Sequence, residues 1–232
     1  GVTYLGSATL ADNHQPLTVD ERVADAVAKL PTARQRQLAI DFATNQRFRR
    51  DVFVRGRATL GPVEIARNLN AIAIGCLGNP AHIGTKARVP RGEIRFHDDF
   101  IRELQALLAC GSVTIGEAVA TLGGNGRDVT EIARNLIYLV AAGTLTPFAK
   151  AHRHDATAKP RRLANDTVER VLAYVIEHRV ARAIPSEILG NGVEINPVEA
   201  LAVTRLLAGS DSAANAVTED PVPSLMRLGL IA

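Results

Sequence analysis

Tryptophan is absent from this chain, aromatic residues make up only 4% of it, and a single methionine occurs. A core without large rings must be filled by Leu, Ile, Val and Ala, and that palette favours helices packed through aliphatic faces. Cysteine is nearly missing too. Cys76 and Cys110 are the two present, and neither belongs to a CxxC, so the spacing spells out no disulfide framework and no zinc site. Two reduced, buried thiols suit the cytoplasm. No apolar run approaches the ~20 residues that span a bilayer, and no charged-then-apolar signal opens the chain. The first residue is Gly1 rather than methionine, as in a piece cut from a longer polypeptide.

Catalytic signatures are missing as well. There is no GxSxG, and no Ser, His and acid grouping stands out. Gly123-Gly124-Asn125-Gly126 lies between two predicted helices, a context that contradicts a dinucleotide fingerprint and fits a turn. His152-Arg153-His154-Asp155 offers two imidazoles and a carboxylate on a polar stretch, which reads as a solvated linker rather than a metal site. His97-Asp98-Asp99 stands at a helix start, where carboxylates act as caps. The expectation is therefore a chain with no catalytic, cofactor-binding or metal-binding residues of its own.

What is present is a hydrophobic share of 47% over 232 residues, enough for one large domain or two to three small ones. The net charge of +3 hides an asymmetry. Between Gln46 and Arg95 there are ten Lys or Arg against three carboxylates, a surplus of seven, while the rest of the chain carries a net −4. Arg47, Arg49, Arg50, Arg55 and Arg57 head this segment and are the candidate interaction surface. Such a segment can meet an acidic protein surface, a phosphate-bearing ligand or a nucleic acid, or it can be a strand edge kept soluble by charge. If 48–55 forms a strand, Arg49 and Arg55 share one face.

Local patterns predict a mainly α chain with a small β-sheet, an α+β fold. Helical spacing runs from Val19 to Leu30, and again after the cap Thr32 through Leu38 and Phe42. A strand is expected over 48–55, a short helix over 63–69, a buried strand over 71–77, a loop over 78–91 and a strand over 93–97. Asp98 or Asp99 caps a helix bearing Phe100, Ile101, Leu104, Leu107 and Leu108. Thr114-Ile115-Gly116-Glu117 has the spacing of a capping box. Asp128 caps a third helix with Ile132, Leu136, Leu139 and Val140, and 145–148 runs extended. Helix, short helix, turn, longer helix and strand is the order of a helix-turn-helix with a wing. A linker is expected over 151–162, then further helices from Asn165 or Asp166, after Asn196-Pro197, and near Ser224. Glu-Ile-Ala-Arg-Asn-Leu occurs twice, at 64–69 and 131–136, without matching flanks. The organisation read from these patterns is 1–95, a winged-helix-like unit 96–150, the linker, and a helical region 163–232.

Two segments carry a family resemblance. Tyr4-Leu5-Gly6-Ser7-Ala8-Thr9-Leu10-Ala11-Asp12-Asn13 resembles the run that follows the catalytic domain of certain bacterial class I S-adenosylmethionine-dependent methyltransferases and leads into a predicted methyltransferase regulatory domain. Asp41-Phe42-Ala43-Thr44-Asn45-Gln46-Arg47-Phe48-Arg49-Arg50-Asp51-Val52-Phe53-Val54-Arg55 resembles a second signature of that family, in the same order. The pattern over 98–148 is similar to the winged-helix domain of rickettsial-type protein-lysine methyltransferases. The resemblance implies a regulatory and substrate-recognition region, with S-adenosylmethionine bound by a catalytic domain outside this sequence. The implied partners are that domain, a protein substrate or a second copy of the chain, and neither nucleic acid nor membrane. The alternative is a winged-helix DNA-binding regulator. Against it, the helix in the reading position holds one Arg, where a DNA reader brings several cations to the phosphates.

Overall fold

A computed structural model describes residues 1–46, 48–56, 60–124, 126–153 and 166–207. The chain opens with β1 (Thr3–Ser7), a 3-10 turn over Leu10–Asn13, and three helices, α1 (Gln15–Thr18), α2 (Glu21–Ala28) and α3 (Ala33–Ala43). There follow β2 (Asp51–Val54), α4 (Pro62–Ala71), β3 (Ala73–Gly75) and the hairpin β4 (Lys86–Val89) and β5 (Gly92–Arg95). The middle of the chain is α5 (Asp98–Leu108), β6 (Val113–Thr114), α6 (Ile115–Gly123), α7 (Val129–Ala141) and β7 (Thr146–Phe148). The last described part is α8 (Asp166–His178), β8 (Arg182–Ser186), β9 (Asn191–Ile195) and α9 (Pro197–Leu207). This is the α+β fold expected, with its strands spread over several small sheets rather than one.

The central unit forms where the local signals are strongest. Thr114 and Glu117 close the capping box: the Thr114 hydroxyl accepts from the Glu117 amide at 3.1 Å, and the Glu117 carboxylate accepts from the Thr114 amide at 2.8 Å. The hydrogen bond from the Thr114 amide is the main reason that the Glu117 carboxyl lies below its usual range. Asp128 caps α7 through the Thr130 amide. The start of α5 differs from expectation. His97 takes the N-cap position without a side-chain bond, and Asp98 and Asp99 lie in the first turn, where they favour the positive end of the helix dipole.

Leu104, Leu108, Leu122, Ile132, Leu136 and Leu139 share one buried core, and Leu107 packs against it, as the helical spacing predicts. Arg127 ties the α6–α7 turn back to α5 through a two-pronged pair with Glu103, at 2.5 and 3.0 Å. The sheet of this unit is not local in sequence. β3 is its middle strand, antiparallel to both β6 and β7. β3 lacks a Cβ at Gly75 because the Phe148 ring and Ser112 occupy that space. The loop expected over 78–91 contains a 3-10 turn and β4, whose Ala87 and Val89 point inward while Lys86 and Arg88 stay exposed.

A second core joins α8, β8, β9 and α9 around Val168, Leu172, Val175, Ile184 and Val203, and takes in Ala73 and Phe148 from the central sheet. The Ala149 amide donates to the Ile188 carbonyl, which fixes the two units together. The helix expected near Ser224 and most of the expected linker lie outside the described residues.

Candidate interaction surface

The basic segment is distributed over several structural tasks. β2 is shorter than the expected strand, so Arg49 precedes it and Arg55 follows it. Arg49 reaches Asp41 on α3 at 3.2 Å and Asp51 at 2.9 Å, and donates to the Tyr4 hydroxyl. Its side chain is only 18% exposed. Burial works against the charge, but the Asp41 and Asp51 carboxylates outweigh it and raise the guanidinium pKa. Arg49 thus joins β1, α3 and β2. Arg50 is exposed and donates to the Thr9 hydroxyl at 3.3 Å, and Arg55 is exposed. Arg47 and Arg57 lie outside the described residues.

Farther along, Lys86 and Arg95 face each other across β4 and β5 and both pair with Glu93. The hydrogen bond from Lys86 is the main reason that the Glu93 carboxyl sits below its usual range. Arg91 donates through its side chain to the Pro16 carbonyl and through its backbone to the Leu17 carbonyl. It clamps the hairpin to α1.

Apolar exposure is the larger feature of this region, and charge counting misses it. Among the described residues, fifteen of the nineteen large apolar side chains left exposed lie at or before Leu77. Phe42 is 87% exposed, Phe48 89%, Val63 80% and Leu38 63%. Neither α3 nor α4 buries a single residue. Monomeric surfaces tolerate scattered apolar groups, whereas a concentration of them in one part of the chain is a candidate for contact.

The repeated hexapeptide makes the point within one chain. In α7, Ile132 and Leu136 of Glu-Ile-Ala-Arg-Asn-Leu are 1% and 0% exposed. The same letters in α4 leave Ile65 at 45% and Leu69 at 39%. The repeat is a sequence signal that could have located this face.

Among the described residues no group of His, Cys, Asp and Glu could hold a metal ion, and no helix is long and apolar enough to cross a membrane. His154 and Asp155 lie outside the described residues.

The segment bearing most of this apolar surface is also the one that matches a known family: residues 1–55 fit the model described as "Predicted methyltransferase regulatory domain". The resemblance read from the two sequence signatures is borne out there. An uncharacterized protein of Synechocystis, sll1526, is 24% identical over 200 residues, covering 86% of this chain and 39% of that protein. The fold is similar to PKMT2 from Rickettsia typhi, at a TM-score of 0.56 and 12% identity, over 97% of this chain and 53% of that one. The same protein in complex with AdoHcy gives 0.58 and 12%, over 99% and 56%. At that identity the likeness is one of fold. The chain thus spans about two fifths of the Synechocystis relative and little more than half of the rickettsial protein.

Proposed function

We propose that this chain is the regulatory and substrate-recognition region of an S-adenosylmethionine-dependent methyltransferase, and that the apolar face of residues 1–72 docks on the methyl-transfer domain. The observation that carries the reading is the coincidence of two features in one segment. The regulatory-domain match covers 1–55, and Leu38, Phe42, Phe48 and Phe53 stand exposed within it. The exposed basic residues Arg50 and Arg55 lie beside that face in sequence, so an acidic rim on the partner would complement it. S-adenosylmethionine then belongs to the partner domain, and this chain supplies contacts rather than chemistry. A protein-lysine acceptor is the finer reading. It rests on the resemblance of the pattern over 98–148 to the winged-helix domain of rickettsial-type protein-lysine methyltransferases, and the complex of the rickettsial protein with AdoHcy bears only on the methyl donor.

The DNA-reading alternative fits this geometry less well. Tyr138 on α7 stacks edge-on with His14 at 6.3 Å, so the N-terminal segment occupies part of the helix that would enter a groove. Arg134 is the single cation on α7.

The test is a titration of the separately expressed methyl-transfer domain with this chain. The wild type should bind. Leu38→Ser with Phe42→Ser should weaken binding about tenfold or more, with the melting temperature of the isolated chain unchanged, because both side chains are already exposed. Absence of binding by the wild type, or equal binding by the double variant, rejects the docking face.

A further inference from the structure

Between α8 and β8 a cleft of about 470 Å³ is lined by Thr167, Arg170, Val171, Tyr174, Arg182 and Ala183. It lies on the second core unit, away from the regulatory-domain segment, and the proposal above makes no use of it. We infer that this cleft binds a peptide segment of a partner protein through one side-chain carboxylate next to an apolar side chain.

The chemistry of the walls selects that ligand. Arg170, Tyr174 and His178 recur at four-residue steps along one side of α8. Tyr174 stacks on the His178 ring with centroids 4.1 Å apart and planes 14° apart. The Arg182 guanidinium lies over the Tyr174 ring, 5.4 Å from its centroid. Tyr174 is therefore held in place where it lines the cleft, and Arg182 is pre-positioned rather than free to sample rotamers. Among the described residues, no carboxylate pairs with Arg170 or Arg182. Among the described residues, Arg182 donates a hydrogen bond only to the neighbouring Ala181 carbonyl. Two guanidiniums with no paired carboxylate among the described residues, beside Val171, Ala183 and the Tyr174 ring, offer a carboxylate its charge-assisted hydrogen bonds and an adjacent Leu or Phe its apolar contact.

Two other ligand classes fit less well. A nucleic-acid backbone needs a track of cations, whereas α8 sets Asp166, Glu169 and Glu177 around its one arginine. An added β-strand needs backbone donors along the edge, and Pro185 removes one from β8. Recognition therefore falls to side chains, and the same acidic neighbours limit the ligand to one carboxylate rather than an acidic run.

The probe is the capped pentapeptide Gly-Leu-Asp-Phe-Gly, titrated into the full chain and followed by amide chemical shifts. Its Asn analogue, inorganic phosphate and oligouridylate serve as the comparison arms. Saturable shifts at Thr167, Arg170, Tyr174 and Arg182 are expected with the Asp peptide. The Asn analogue and Arg170→Gln should each bind at least about fivefold more weakly, and Arg170→Glu with Arg182→Glu about tenfold or more. Both arginines are exposed, so the variants should keep the wild-type circular dichroism, and Arg170→Gln alone decides the matter if the double variant does not fold. Failure of the Asp peptide to saturate, equal binding of the Asn analogue, or unchanged binding by Arg170→Gln overturns the inference. Tighter binding of oligouridylate or of phosphate alone than of the Asp peptide also overturns it, replacing it with a nucleic-acid or simple anion site.

Discussion

Gly111 and His152 meet backbone to backbone: a Cβ placed on Gly111 would lie 2.1 Å from the His152 carbonyl oxygen. The approach belongs to a short ladder in which Gly111 bridges Arg153, and Ser112 exchanges hydrogen bonds with His152 through its amide and hydroxyl. It ties the end of α5 to the chain leaving β7. Gly111 also has φ +130°, which disfavours any side chain. Gly111→Ala should cost about 1–3 kcal/mol, read from urea unfolding. Gly143→Ala is the control. Its φ is +75° but nothing lies within 4 Å of the added carbon, so its loss should be smaller. Equal losses at both sites would mean that the His152 contact relaxes freely.

Leu136 is fully buried in the central core. Leu136→Ala removes three carbons from a site with packed neighbours on every side, and the expected loss is about 2–5 kcal/mol. Leu69→Ala deletes the same atoms from the same position of the repeated hexapeptide in α4, where the side chain is 39% exposed. It should cost less than about 1 kcal/mol in the isolated chain. A comparable loss at both sites would show that the α4 face is covered in the free chain.

The legible part of this fold is the part made of local contacts. Helical spacing and caps located α5, α6 and α7 and named their shared core, because residues three and four apart on a helix must point the same way. The middle strand of the sheet was legible as an apolar run, but its partners were not. β3 pairs with β6 and β7, strands about forty and seventy residues away, and no local pattern carries that information. The sequence of β4 reads as loop even though Lys86, Ala87, Arg88 and Val89 alternate, since four residues beside Pro90 and Gly92 look like turn material. For the candidate surface, composition marked the basic segment, yet it could not separate Arg49, which is consumed in structural pairs, from the exposed Arg50 and Arg55. Amphipathic spacing likewise marked the apolar side chains of α3 without saying whether this chain or another covers them.

Arg49 is the basic residue whose loss should register in folding. Three groups from three elements, Asp41, Asp51 and Tyr4, converge on a side chain that is mostly buried. Removing it leaves two carboxylates close together without their cation. Arg49→Ala should therefore destabilise the chain by about 1–3 kcal/mol, whereas Arg55→Ala should stay within about 0.5 kcal/mol. Thermal melts of the two variants beside the wild type make the comparison. If Arg49→Ala melts with the wild type, the convergence contributes contacts without stability, and Arg49 rejoins the exposed arginines as a candidate for partner binding.

His14 should make stability depend on pH at one seam. It lies half-buried between the N-terminal 3-10 turn and α7, with its ring against Tyr138. Burial lowers its pKa below the ordinary 6.5, because the folded environment disfavours the charged imidazolium. Above pH 6.5 the imidazole is neutral in both folded and unfolded chains, and its contribution is constant. As the pH falls below 6.5 the unfolded chain takes up the proton first, so the unfolded state gains and stability declines until the folded pKa is also passed. Carboxylates titrate in the lower part of this range, so the wild type alone cannot isolate the effect. Urea unfolding at pH 7.5 and 5.5 should therefore be compared between the wild type and His14→Gln, which keeps a polar side chain but cannot be protonated. The wild type should lose more stability than the variant over this interval. Matching losses would mean that the buried face of His14 admits the charged form at no cost, and that the seam with α7 is insensitive to pH.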